Sequence, residues 1–64
     1  MKNNFIEVTH GNEKVLINLL NVAKVIPSKD RTLIIFNFSK KEDVYMVTAD
    51  EPYQTIKKMI DAQQ

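Results

Sequence analysis

The sequence predicts an α+β, mostly β, domain: an antiparallel meander of four or five strands closed by one C-terminal helix. Three observations carry that expectation. Short apolar runs rich in β-branched and aromatic residues recur at nearly regular spacing. Clusters of turn-forming residues separate them. Near the C-terminus the apolar period lengthens, with Tyr53, Ile56 and Ile60 at i, i+3 and i+7 and Met59 beside them.

The strands are expected at about 5–9, 14–18, 22–27, 32–38 and 43–48. Phe5-Ile6-Glu7-Val8-Thr9 and Lys14-Val15-Leu16-Ile17-Asn18 form a hairpin around His10-Gly11-Asn12-Glu13, where Gly and Asn can supply positive φ. Leu19-Leu20-Asn21 reads as either one helical turn or a bend. Val22 to Ile26 is the next strand, and Pro27 marks an edge or a bulge at its end. Thr32 to Phe38 is the strongest strand signal, and Val44 to Thr48 the last. The helix is expected over about 51–62. Two starts fit it: a capping box from Thr48 to Glu51, or Asp50 as N-cap, with Pro52 in the first turn under either. No linker, repeat or composition shift divides residues 1–64, so one domain is expected.

Composition narrows the function classes. The chain has 64 residues, 44% hydrophobic and 27% charged, which suits a packed core under a polar surface. It has no Cys and one His, His10, so neither a disulfide nor a closed zinc site is available. No apolar run approaches the ~20 residues of a membrane span. A soluble, cytoplasmic protein with no membrane association is the expectation. The net charge of +1 lacks the basic excess usual in nucleic-acid modules.

Catalytic, cofactor and metal sites are expected to be none. Glu42-Asp43 sits at a turn and Asp50-Glu51 at a helix start, where carboxylates serve turns and caps more often than acid–base chemistry. His10 at a hairpin tip reads as solvated, and the serines, Ser28 and Ser39, are distant from it in sequence. One Gly cannot form a phosphate cradle, and no calcium-loop spacing occurs.

The patterning poses a geometric problem. In the simplest registers Val8 faces Val15, Ile6 faces Ile17, Val25 faces Ile34, Ile34 faces Val47 and Phe36 faces Tyr45. Val25, Ile34, Phe36, Tyr45 and Val47 then share a face, expected to meet Tyr53, Ile56 and Ile60. Ile26, Leu33, Ile35, Val44 and Met46 share the opposite face, which should be polar if it met water. A five-stranded sheet is roughly 20 Å wide and a helix about 10 Å across, so one helix cannot cover both faces. Either the sheet curls toward a small barrel or the second face packs on another subunit. Burying about 300 Å² of apolar surface is worth about 7 kcal/mol. Ile26, Leu33, Ile35, Val44 and Met46 are therefore the candidate oligomer interface.

The leading functional expectation is a non-enzymatic assembly or regulatory protein-interaction module that forms a homo-oligomer and meets a protein partner. The alternative is a small single-stranded nucleic-acid-binding module. Phe36, Phe38 and Tyr45 would then form a stacking platform, with Lys40 and Lys41 beside it. The first strand is also a natural sheet edge, guarded by Lys2 and Glu7, and an edge can recruit a partner strand.

Ile6-Glu7-Val8-Thr9, a turn with Asn12, Leu16-Ile17-Asn18, Val22, Ile26, Asp30-Arg31-Thr32-Leu33-Ile34, Tyr45-Met46-Val47 and a closing helix with Ile56 and Ile60 form one pattern. It resembles the flagellar FlbD / swarming-motility SwrD family of short bacterial proteins, over about residues 5 to 60. The resemblance implies a cytoplasmic bacterial protein linked to flagellar function and brings no catalytic residues.

Overall fold

A computed structural model describes residues 4–40 and 43–63, with side-chain positions for all of these except 38–40, 43 and 44. Five strands and one helix follow in chain order: β1 (Phe5–His10), β2 (Glu13–Asn18), β3 (Val22–Ser28), β4 (Arg31–Lys40), β5 (Asp43–Ala49) and α1 (Tyr53–Asp61). Leu19–Asn21 forms a 3-10 turn between β2 and β3, held by the Asn18 side chain accepting from the Leu20 N–H at 3.1 Å.

The strands form two antiparallel sheets, β1-β2 and β3-β4-β5, and no closed barrel. The antiparallel strands and the C-terminal helix are as expected, while the alternative of a sheet curled into a small barrel is not what forms. The sheet is broken between β2 and β3, where the 3-10 turn redirects the chain.

Turn chemistry sets the hairpin registers. His10 pairs with Glu13, so only Gly11 and Asn12 remain in the first turn. Gly11 has φ +64° and Asn12 stays at negative φ, the sign pattern of a type II′ hairpin turn. A second two-residue turn, Lys29-Asp30, joins β3 to β4, with Lys29 at φ +57°. That is a glycine-favouring conformation occupied by a side chain.

The inner registers match the alternation in the sequence. Val8 faces Val15 and Ile6 faces Ile17, while Val25 faces Ile34 and Ile34 faces Val47. The pairing of Phe36 with Tyr45 gives way to an irregularity. Ile35 faces Met46, but Ser39 faces Val44, so β4 carries two more residues than β5 in between.

Ile6, Val8, Ile17, Ile34, Ala49 and Ile56 form the buried core, with Val25, Phe36, Val47, Met59 and Ile60 packed against it. The hairpin contributes Ile6, Val8 and Ile17, the three-stranded sheet Ile34 and Ala49, and the helix Ile56. Helix α1 contacts β3, β4 and β1, while β1 contacts β5. The inner face of the three-stranded sheet is thus covered by the helix toward β3 and by the hairpin toward β5.

The helix begins later than its sequence suggests. Pro52 is the N-cap, with ψ 159° and no side-chain cap bond, and its carbonyl accepts from the Thr55 and Ile56 N–H groups at 3.0 and 3.1 Å. Neither Asp50 nor Glu51 lies in the first turn, so neither expected cap forms. The extended backbone at Pro52 turns Glu51 back toward the hairpin.

Candidate interaction surface

Strand alternation puts Lys24 and Ile26 of β3, Leu33 and Ile35 of β4, and Met46 and Thr48 of β5 on the face away from the core. Ile26, Leu33 and Thr48 form one cross-strand row. Lys24, Ile35 and Met46 form the next. Ile26, Leu33 and Ile35 are half-buried by their neighbours, and Met46 is 50% exposed. None of the four belongs to the core cluster. Val44 follows on β5, its side chain outside the described residues. At one end Arg31 approaches Asp50 at 3.9 Å, a solvated pair worth little to stability.

Of the candidate nucleic-acid residues, Phe36 and Tyr45 have described side chains. Phe36 packs against the core. Tyr45 is 38% exposed. The side chains of Phe38 and Lys40, and Lys41 as a whole, lie outside the described residues.

A polar fastening joins the hairpin to the rest of the fold. Both carboxylate oxygens of Glu51 accept from the Thr9 N–H, at 2.9 and 3.0 Å. The Thr9 hydroxyl donates to the same carboxylate at 2.9 Å, and Lys14 Nζ donates to that hydroxyl at 3.0 Å. The Thr9 carbonyl accepts from the Asp50 N–H at 2.7 Å. The buried Thr32 hydroxyl donates to the Glu51 carbonyl at 2.8 Å, which ties β4 to the same residue. Partial burial works to raise the Glu51 pKa. The Thr9 N–H and hydroxyl, the Glu51 N–H and the Lys14 charge outweigh it, so the net shift is downward. Glu51 is an ionised, hydrogen-bonded carboxylate serving as a joint.

His10 is exposed, yet it is also part of the joint. Its Nδ1 lies 2.9 Å from the Thr48 carbonyl. A carbonyl only accepts, so this ring nitrogen carries the proton. Among the described residues no cluster of three or more metal-ligating side chains occurs, and no helix is long and apolar enough to cross a membrane.

The Thr9–Glu51 joint has no signature in the sequence. Its partners are 42 residues apart and look like a strand end and a helix cap. The outer apolar rows, by contrast, follow from alternation alone. No family model matches this chain, and no curated protein or solved structure matches it either.

Proposed function

We propose that this chain is a non-catalytic interaction module that associates with a second copy of itself through the outer face of β3-β4-β5, in the cytoplasm. The observation that carries the reading is the continuity of Ile26, Leu33, Ile35 and Met46 across three paired strands, on the side the helix and hairpin leave open. Among the described residues of these two rows, the one charged side chain is Lys24, at the β3 flank. Two such faces can therefore meet with little electrostatic opposition.

The size of the face sets the strength. Each outward residue tiles about 33 Å² of sheet plane, from a strand spacing of about 4.8 Å and a two-residue rise of about 6.8 Å. The two rows give a plane of about 200 Å² per protomer, so a pair buries roughly 400–600 Å² in all, against about 1,200–2,000 Å² for a stable interface. Association through this face is accordingly weak and rapidly reversible, suited to a module held at high local concentration by a scaffold. The likeness to short flagellar proteins without catalytic residues agrees with such a role.

Light scattering across a concentration series tests the reading. The apparent mass of the wild type should rise with concentration, and that of Met46→Lys should stay at the 7.4 kDa monomer. A wild type that remains monomeric at millimolar concentration refutes it.

A further inference from the structure

The open long edge of the hairpin runs along β2, because Thr9 on the far side of β1 is already bonded to Glu51 and Asp50. Backbone groups of an antiparallel strand point alternately toward and away from the paired neighbour. The Leu19 N–H donates to the Asn4 carbonyl at 2.7 Å, so this pair turns its groups inward. Counting back along the unbroken β1-β2 register, Asn18, Leu16 and Lys14 turn theirs away from β1. No strand pairs with β2 on that side. Among the described residues, none hydrogen-bonds to the N–H or carbonyl of Lys14 or Leu16, or to the Asn18 N–H. The Asn18 carbonyl opens the 3-10 turn. A lysine on an edge ordinarily guards it. Lys14 instead leans across β1, with Nζ on the Thr9 hydroxyl at 3.0 Å. Leu16, at the middle of the edge, is 65% exposed.

We propose that the β2 edge pairs with the β2 edge of a second copy, antiparallel about a two-fold axis at Leu16, so that two hairpins become one four-stranded sheet. The sequence of the edge is complementary to itself in that register. Leu16 faces Leu16 of the second copy, and the two exchange both of their backbone bonds. Lys14 faces Asn18 of the second copy, so each ammonium meets a neutral amide and each Asn18 N–H meets a Lys14 carbonyl. Val15 faces Ile17 of the second copy on the inner side, which continues the apolar face of the hairpin. Other registers lose these matches. An axis at Lys14 opposes two ammonium groups. An axis at Val15 sets Asn18 against the Gly11-Asn12 turn, and one at Ile17 sets Lys14 against the 3-10 turn. The contact covers one exposed leucine per copy, so it is weaker than the outer-face association and leaves Met46→Lys a monomer by light scattering. It does not rest on that association. A single self-complementary contact stops at a pair. With both contacts, copies join alternately by face and by edge, and assembly continues past the pair.

Disulfide trapping of the full chain tests this, since the sequence has no cysteine and single thiols can be placed one at a time. Every variant also carries Met46→Lys, which removes the outer-face contact and separates the two interfaces. Facing Cα atoms in a hydrogen-bonded antiparallel pair are about 5.5 Å apart, within disulfide reach. In a glutathione redox buffer, Leu16→Cys should give about fivefold more disulfide dimer than Leu20→Cys or Glu7→Cys, which are exposed but off the edge. Leu16→Cys, at an exposed position, should keep the amide dispersion of the wild type. A mixture of Lys14→Cys and Asn18→Cys should cross-link between the two kinds more than within either, as read by mass spectrometry of the dimers. Equal yields at positions 16, 20 and 7 would overturn the proposal and leave the edge to a strand of another protein. Cross-linking within each kind as often as between them would overturn the register.

Discussion

Replacing Glu51 probes the joint that holds the hairpin to the rest of the molecule. The Thr9 N–H is shared between both carboxylate oxygens and counts as one bond, and the Thr9 hydroxyl makes the second. Bonds to a charged acceptor contribute about 1.5–3 kcal/mol each, toward the low end where water has partial access. Glu51→Ala should therefore destabilise the fold by about 2–3 kcal/mol, and Glu51→Gln, which keeps one accepting oxygen without the charge, by about 1 kcal/mol. A 64-residue domain has about 3–10 kcal/mol in total, so the Ala variant loses a large part of it. Urea unfolding followed by circular dichroism reads both values. The pH dependence gives a second reading of the same contact. A carboxyl whose pKa is lowered by folding stabilises fully above its ordinary value, here 4.5, and that stability is lost as pH falls through the folded value. Acid should thus weaken the wild type over a range in which Glu51→Gln is flatter. A loss below about 0.5 kcal/mol for Glu51→Ala, or identical acid sensitivity in wild type and Glu51→Gln, would refute the assignment of Glu51 as the joint.

Other substitutions test the core, the turns and the outer face. Ile34→Ala removes a fully buried side chain at the centre of the three-stranded sheet and should cost about 2–5 kcal/mol, leaving a marginal or unfolded chain, whereas Ile34→Val should cost about 1 kcal/mol and remain folded in the same urea assay. Lys29→Gly relieves a side chain at φ +57° and should raise the urea midpoint by the equivalent of about 0.5–1 kcal/mol; Gly11→Ala should lower it by a similar amount, through backbone strain alone, because nothing lies within 4 Å of the added carbon. Thr32→Val keeps the shape of a buried residue but deprives the Glu51 carbonyl of its donor, so a loss of about 1–2 kcal/mol is expected in thermal melts. Met46→Lys should leave the unfolding free energy within about 0.5 kcal/mol of wild type while abolishing self-association, which separates an interface role from a core role.

Much of the sheet was legible because alternation and turn residues are local. Ile6, Val8, Val15 and Ile17 take the facing positions their spacing implies, as do Val25, Ile34 and Val47. The helix face with Ile56 and Ile60 follows from its period, and both pack in the core. What stayed hidden depends on contacts between distant segments. Local pattern could not show that the first hairpin leaves the main sheet and folds over its inner face. The Glu51 side chain carries an ordinary capping signal, yet a partner 42 residues earlier competes for it successfully. Phe36 and Tyr45 lie at an irregularity whose two surplus β4 residues cannot be located by alternation, because an even insertion preserves the in–out pattern on either side. The outer rows were readable as apolar, and the open face they form is where the proposed self-association rests.

The distance in sequence between Thr9 and Glu51 also has a consequence for how the chain comes into being. The hairpin is made before β3, β4 and β5, but the residue that fastens it is specified only after all five strands. Until then Ile6, Val8 and Ile17 have no lid of helix over them, and the newly made hairpin carries a bare greasy side. A message or ribosome that stops short of Glu51 would release a chain with that side uncovered and prone to aggregate. The segment from Glu51 through α1 thus decides whether the β1-β2 hairpin is safe to release.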